Sequence, residues 1–287
     1  MVRRSHSMNQ SMNEGAGMIF DRTLDLLQRL QPERIRDLKI DKIVIGIFFT
    51  GVKLSDGSGG VAYTPRDDLH GVTCCHSMVA ERPASAPLKG MDVQDMLGRP
   101  TGSPLSHLVK LVVMNALSSR FITSDRYRIV YDIDALDLVD LDKAGRIGMV
   151  GAFIPFLKQL KAVPNIDMAV IERNTEVLKA DEMRFYVPAE KARDALFSCD
   201  TVIITGATMA NRTLDELLGY TKPGAEVILT GPTASMLPDI LFEHNVRALC
   251  GVQVVDPDTA LDMLAEAGGA LSLFHSGCVR KMNVLKG

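Results

Sequence analysis

The sequence predicts an α/β protein in which a small α+β domain precedes a doubly wound, mostly parallel sheet. The chain has 287 residues, enough for two domains of about 100–150 residues each. Helix and β-turn-β patterns fill its first part, whereas strands alternate with helices from Arg146 onward. We expect a tail over residues 1–17, a first domain over 18–130 and a second domain over 131–287. The acidic segment Tyr131 to Asp142 marks the crossing between them.

Three helices are expected in the first domain. Apolar residues recur at helical spacing from Phe20 to Leu30 and stop before Pro32, which predicts an amphipathic helix. A short helix follows over Asp92–Leu97. A longer helix begins after Ser103, because this residue type caps helices well and Pro104 fits the first helical position.

Short strands are expected between the first two of these helices. The run Ile43–Phe49 is rich in β-formers, and the SDGSGG of residues 55–60 has the composition of a turn. Val61–Thr64 can return antiparallel, and Val72–Cys75 is a candidate third strand. These elements complete the α+β domain.

The second domain is predicted to hold five parallel strands separated by helices. Helical stretches such as Thr213–Leu218 and Asp258–Ala267 fill the intervals, as right-handed βαβ units require. The predicted strands are Arg146–Val150, Met168–Glu172, Thr201–Thr205, Glu226–Thr230 and Ala248–Val254.

Composition excludes several classes of function. With 32 basic and 35 acidic residues, and a net charge of −3, the chain has little electrostatic attraction for nucleic acid, so we expect no such partner. No apolar run reaches the roughly 18 residues of a membrane span, so no membrane insertion is expected. Five cysteines without close repeated spacing are typical of a reduced, cytoplasmic protein.

Glycines, hydroxyls and acids follow the predicted strands of the second domain. Open parallel sheets bind ligands at the carboxyl ends of their strands, so this set predicts one ligand-binding rim. Any single loop is equally explained as a turn or helix cap. The candidate binding residues are Gly148, Gly151, Phe153, Glu172, Thr205, Gly206, Thr208, Asn211, Thr230, Gly231, Pro232, Thr233, Ser235 and Asp256.

The first of these loops departs from the fingerprint of dinucleotide-binding proteins. A GxGxxG turn beginning at Gly151 would need glycine at Phe153 and a small residue at Phe156. Glu172 nevertheless lies 21 positions after Gly151, where an acidic residue would hold a ribose. The glycine that would admit a pyrophosphate is missing.

The first domain offers two further candidate groups. We predict that the loop with Thr50, Gly51 and Lys53 closes over the strand ends, so that Lys53 supplies a cation to a shared site. Cys74 and His76 could share one face of a strand and bind a transition metal, one candidate cofactor, whereas Cys75 points away. A buried thiol and a structural histidine explain the same residues.

Several motifs together resemble the family called putative heavy-metal chelation domain. They are FFTGVKL at 48–54, MNA at 114–116, IGMVGAFIP at 147–155, IER at 171–173, VIITGATMANRTLDELL at 202–218 and LTGPTASMLPDILF at 229–242. The resemblance implies an enolase-N-terminal-like first domain, a Rossmann-like second domain and a site between them. It also implies a link to heavy-metal chelation or to a metal-chelating compound.

Three functions follow from these observations. The favoured hypothesis is a protein that binds a small molecule or a metal chelate in an interdomain cleft, with or without catalysis. The alternatives are a nucleotide-dependent oxidoreductase or transferase and a non-enzymatic metal-sequestering protein. A homo-oligomer is compatible with each of them.

Overall fold

The structure, a computed structural model, describes residues 18–69 and 87–287. The predicted tail over residues 1–17 and the predicted strand Val72–Cys75 lie outside these ranges. None of the helices in the described part combines the length and the apolar character of a membrane span.

The first part of the chain forms a three-stranded antiparallel sheet with helices, here called the small sheet. Strands β1, β2 and β3 pair in that order. The elements are α1 (Met18–Leu30), α2 (Pro32–Asp37), β1 (Ile40–Ile45), β2 (Phe49–Leu54), β3 (Gly59–Tyr63), α3 (Val93–Gly98) and α4 (Pro104–Ser118).

The predicted strand Ile43–Phe49 is wrong as a single element. It contains the end of β1, a turn and the first residue of β2, and the SDGSGG turn joins β2 to β3. Gly46 makes the earlier turn because its N–H donates to the Phe49 carbonyl at 3.1 Å. A Cβ there would also lie 2.6 Å from the Leu264 carbonyl oxygen, so the close approach needs glycine.

The rest of the chain forms an eight-stranded sheet, here called the large sheet. Its strands are β4 (Arg128–Tyr131), β5 (Ile147–Val150), β6 (Met168–Ile171), β7 (Tyr186–Val187), β8 (Thr201–Thr205), β9 (Glu226–Thr230), β10 (Val246–Val254) and β11 (Val279–Leu285). Its helices are α5 (Ile154–Leu160), α6 (Ala192–Phe197), α7 (Ala207–Ala210), α8 (Leu214–Gly219), α9 (Asp239–Glu243), α10 (Pro257–Ala265) and α11 (Ala270–His275). Single 3-10 turns occur at Arg66–Asp68, Ala135–Leu138, Thr175–Val177, Met183–Phe185 and Ala189–Lys191.

Six neighbouring strands of the large sheet are parallel. Along the sheet they run β7-β6-β5-β8-β9-β10, which is the 3-2-1-4-5-6 order of doubly wound nucleotide-binding sheets. The strand order reverses between β5 and β8. This observation confirms the predicted α/β class, with a small antiparallel sheet and a larger, mostly parallel one.

Three strands of the large sheet were not predicted from the sequence. The strand β11 runs antiparallel to β10, and β4 pairs antiparallel with β11 at the edge. The strand β7 has only two residues, too few for a pattern. The strand β4 belongs to the large sheet because it pairs with β11. It begins at residue 128, before the predicted domain boundary at residue 130. That boundary stays a prediction.

Helices from both halves of the chain cover the small sheet. Val52 and Leu54 of β2 join the core shared with α4, whereas Phe49 joins the cluster formed with Leu261 and Leu264 of α10. This alternation places the second half of the chain against the outer face of the small sheet. The two halves therefore share their cores.

The helix α4 lies at the centre of this arrangement. Every residue from Ser106 to Ser118 is buried, so the helix packs on all sides. The strand β3 approaches it so closely that a Cβ at Gly60 would lie 2.2 Å from the carbonyl oxygen of Val112. A glycine at position 60 is what allows this contact.

One side chain of α4 joins the two sheets directly. The buried Asn115 amide nitrogen donates to the carbonyl oxygens of Val61 on β3, at 2.8 Å, and of Thr233 after β9, at 3.0 Å. Thr233 Oγ1 in turn accepts the backbone N–H of Tyr63 at 2.8 Å. We call these three hydrogen bonds the Asn115 bridge.

We expect that replacing Thr233 by valine weakens the fold although the two side chains have nearly the same shape. The Tyr63 N–H would be left without its acceptor, which costs about 1–3 kcal/mol of unfolding free energy. Urea unfolding measures this change. The control Thr175→Val alters an exposed threonine and should stay within about 0.5 kcal/mol of the parent; equal effects of both substitutions would contradict the role of the bridge.

The side chain of His107 is also buried in α4. It is only 2% exposed and its ring packs against that of Phe20 in a tilted orientation, with ring centroids 4.4 Å apart. Its Nε2 lies 2.9 Å from the Met209 carbonyl oxygen of α7, so the neutral ring donates there. Burial lowers the pKa of His107 from 6.5 to about 4.

Stability should therefore fall between pH 6.5 and pH 4. In this window the unfolded chain binds a proton at His107 and the folded chain does not, so acid favours unfolding by up to about 3 kcal/mol. We expect His107→Gln to remove that part of the pH dependence, measured by urea unfolding at several pH values. The variant His275→Gln, at an exposed histidine, should retain it; an unchanged slope in His107→Gln would show that other groups cause it.

Candidate functional site

A cleft of about 430 Å³ opens where the strand order of the large sheet reverses. Its floor is formed by the ends of β5, β6 and β8, and one wall is the chain that leaves β3. Clefts of this volume accommodate small organic ligands, and the reversal point is where open α/β sheets bind them.

Glycine at the end of β5 keeps the floor of the cleft low. Gly151 has a φ of 86°, a left-handed conformation that favours glycine. A Cβ at this position would lie 2.9 Å from Cγ2 of Thr205 on β8. The loops after β5 and β8 can therefore approach each other without a side chain between them.

The carboxylate of Glu172 ties the loops after β5 and β6 together. One oxygen accepts the N–H of Ala152 at 2.8 Å. The other accepts the N–H groups of Arg173 at 2.8 Å and of Asn174 at 2.9 Å. Three backbone donors thus fix a negative charge at the floor of the cleft.

The wall from the small sheet consists of Tyr63, Pro65, Asp67 and Asp68. The Asn115 bridge holds Tyr63 through its backbone N–H. Asp68 extends across the opening, where one of its oxygens lies 3.4 Å from the guanidinium of Arg173. This ion pair is partly exposed, so its contribution to stability is small.

The opposite wall carries hydroxyl groups and one acid. Thr208 Oγ1 donates to the Thr205 carbonyl at 2.6 Å, and Thr213 Oγ1 donates to Asn211 Oδ1 at 2.7 Å. The Tyr220 hydroxyl donates to the carboxylate of Glu216, and this hydrogen bond raises the pKa of Tyr220. The wall is therefore polar at its base, with an acid near the edge.

Six of the residues predicted from the strand ends line this cleft. They are Gly151, Phe153, Glu172, Thr205, Thr208 and Asn211. Their role in ligand binding stays a prediction. The remaining candidates have structural contacts elsewhere.

The loop after β9 lies behind the cleft instead of in its lining. Gly206 N donates to the Thr230 carbonyl at 2.7 Å, and Gly231 N donates to that of Cys250 at 3.0 Å. Ser235 Oγ accepts the N–H of Val252 at 3.0 Å and donates to the Pro232 carbonyl at 3.0 Å. These residues, together with Thr233 of the bridge, join the loop to its neighbours.

Two other predicted site residues also have packing roles. A Cβ at Gly148 would lie 3.0 Å from both Cys199 Sγ and a Leu196 methyl, so this glycine admits α6 against β5. Asp256 caps α10 by accepting the N–H of Thr259 at 3.1 Å, and hydrogen bonds from Thr259 lower the pKa of Asp256.

The structure does not bring Lys53 to this cleft, so the shared site with Lys53 stays a prediction. The strand β2 lies under α10, where Lys53 Nζ is 2.7 Å from Asp258, and this hydrogen bond raises the pKa of Lys53. Gly51 faces Leu264 of the same helix, and the buried Thr50 hydroxyl is 3.0 Å from that of Thr64. The first half of the chain reaches the cleft through the end of β3 instead.

The described cysteines do not form a reactive or metal-binding group at the cleft. Cys199, Cys250 and Cys278 are buried and free, and burial raises the pKa of Cys250 to about 12. Within residues 18–69 and 87–287, no three His, Cys, Asp or Glu side chains group closely enough to hold a metal ion. The candidate ligands Cys74 and His76, and Cys75 between them, lie outside the described residues.

Sequence reasoning missed the lining residues that come from β3, from the 3-10 turn at 189–191 and from α8. The sequence does contain a signal for the first group, because the PRDD of residues 65–68 follows a predicted strand directly. The missed residues are Tyr63, Pro65, Asp67, Asp68, Ala189, Ala192, Thr213, Glu216, Leu217 and Tyr220.

Comparisons with solved structures confirm the fold over nearly the whole chain. A protein of unknown function from the DUF364 family of Pyrococcus horikoshii has a TM-score of 0.75 and 21% identity, covering 94% of this chain and 100% of that one. A second DUF364 protein of unknown function, from Desulfitobacterium hafniense, has a TM-score of 0.64 and 19% identity, covering 91% and 98%.

Sequence comparison identifies the family. An uncharacterised protein of Methanocaldococcus jannaschii is 31% identical over 153 residues, which are 52% of this chain and 55% of that protein. The chain therefore matches only about half the length of this relative. Residues 28–118 match the DUF4213 model and residues 134–283 match the DUF364 model, both described as putative heavy-metal chelation. Because the second match spans more than half of the sequence, the chain belongs to the DUF364 family.

Proposed function

We propose that this protein binds a small organic molecule in the cleft and that its link to heavy-metal chelation depends on that molecule. The observation that carries the proposal is the position of the cleft at the strand-order reversal, with walls from both sheets. The strand order also supports the description of the large sheet as Rossmann-like. We extend the enolase-N-terminal-like description to the part of the chain that forms the small sheet.

The described side chains do not suit a metal ion held by the protein alone. Structural zinc needs about four ligands from Cys, His or carboxylates, and no group of three such residues occurs in the described ranges. A metal ion in this cleft would obtain its donor atoms from the bound molecule.

The lining also favours binding over nucleophilic catalysis. Among the described lining residues there is no His, Cys or Lys, and the bases present are carboxylates. The hydroxyls of Thr208 and Thr213 donate to a backbone carbonyl and to an amide oxygen, so neither donates to a base. The proposal is therefore a binding function.

Filling the cleft should abolish binding. Ala189 is exposed at the edge of the cleft, so Ala189→Trp would place a large side chain there without disturbing a core. The assay is the melting temperature with Ni²⁺ or Zn²⁺ salts, with 1,10-phenanthroline and with its complexes of these ions. We expect the chelator or one of its complexes to raise the melting temperature of the parent and to leave that of Ala189→Trp unchanged. A ligand at 100 times its Kd adds about 2.7 kcal/mol to the free energy of unfolding.

The control is Ala180→Trp, at an exposed alanine outside the cleft, which should respond like the parent. Stabilisation of the parent by the bare salts and also of Ala189→Trp would overturn the proposal. So would a panel in which no chelator or complex has any effect.

A further inference from the structure

We infer that the ligand of this cleft carries a nucleoside moiety without a phosphate group, neutral or positively charged. The inference rests on the proposed function, because it names the ligand class of the same cleft. It is supported by the position of Glu172, by the backbone donors around it, by the charge of the lining and by an apolar patch in the lining.

Glu172 lies where nucleotide-binding sheets hold a ribose. It follows β6, the second strand of the 3-2-1-4-5-6 order, and lies 21 positions after Gly151. An acid at this point accepts hydrogen bonds from the sugar hydroxyls. The oxygen that accepts from Ala152 has one internal bond, so its second lone pair can accept a hydroxyl of the ligand.

Three of the backbone N–H groups that could bind a phosphate after β5 are already used. After β5, Gly151 N donates to the Ile171 carbonyl, Ala152 N donates to Glu172, and Phe153 N donates to the Gly151 carbonyl. Pro155, in the first turn of α5, has no N–H. The Glu172 carboxylate thus takes up a donor that a pyrophosphate would otherwise use.

The charge of the cleft points the same way. Its described lining contains four carboxylates, those of Asp67, Asp68, Glu172 and Glu216, and one cation, Arg173. Arg173 is paired with Asp68 at 3.4 Å, which leaves an excess of negative charge. Such a lining repels a phosphate and attracts an ammonium or another cationic group.

An apolar surface adjoins the ribose position. Ile171 is the last residue of β6 and directly precedes Glu172. Ala192, Leu217 and the ring of Tyr220 continue this apolar surface on the opposite wall. Aromatic and aliphatic side chains of this kind bind the flat face of a base while polar groups fix the sugar.

The test is calorimetric titration of the full chain with three probes that differ in charge at the 5′ position. They are 5′-amino-5′-deoxyadenosine, which is cationic, adenosine, which is neutral, and adenosine 5′-phosphate, which is anionic. We expect the first two to bind, and the phosphate to bind at least about tenfold more weakly than adenosine.

Variants assign this order to the cleft. Glu216→Gln removes one negative charge at an exposed position, so the preference for adenosine over its phosphate should fall about threefold. Glu172→Gln should weaken adenosine binding about tenfold, with folding checked by melting temperature. Glu266→Gln alters an exposed acid beyond α10 and should leave all three affinities unchanged.

Two results would overturn the inference. One is binding of the phosphate as tightly as adenosine, and the other is no binding of any of the three probes. If the probes fail while a chelator still stabilises the parent and Ala180→Trp but not Ala189→Trp, the proposed function stands and only the ligand class is wrong. If the chelators fail as well, both are wrong.

Discussion

The close contact between β3 and α4 is the constraint on which the rest of the structure depends. Gly60 lets the strand approach the backbone of Val112, and the Asn115 amide donates to both Val61 and Thr233. Because α4 is buried along nearly its whole length, it cannot shift without breaking both interfaces. The positions of the two sheets relative to each other are therefore determined by this helix.

This constraint also shapes the cleft. Thr233 lies behind the lining, yet its hydroxyl holds the backbone of Tyr63, whose side chain forms part of the wall. His107 lies about two helical turns before Asn115 on α4. Its ring donates to the Met209 carbonyl and so supports α7, which carries Thr208. Residues of the family motifs can thus affect the cleft through the segments they support, without contacting a ligand.

The carboxylate of Glu172 accepts backbone N–H groups that a ligand phosphate often accepts in nucleotide-binding proteins, and it can also accept a hydroxyl of the ligand. It satisfies backbone donors after β5 and β6 and leaves acceptor capacity toward the cleft. A nucleotide-binding protein commonly leaves such donors free for a phosphate. The side chain at Phe153 in the loop after β5 and the carboxylate of Glu172 in the loop after β6 therefore both disfavour a pyrophosphate.

Much of the α/β architecture could be predicted from the sequence because it depends on local pattern. The alternation from Arg146 predicts parallel strands, and the residues directly after β5, β6 and β8 line the cleft as strand ends should. The strands that were not predicted, such as the two-residue β7 and the antiparallel β11, lack a clear local signal. Such strands are identified by the strands with which they pair, and local periodicity does not reveal that pairing.

The sequence by itself determined which residue types could form the site, namely glycines, hydroxyls and acids at strand ends. Only the tertiary structure decided which of them face the cleft. Lys53 and Asp258 are 205 positions apart, and their ion pair exists because α10 folds back over β2. In the same way, packing on α4 brings the end of β3 to the strand ends of the large sheet. Such contacts depend on how distant faces pack, and local periodicity carries no information about that.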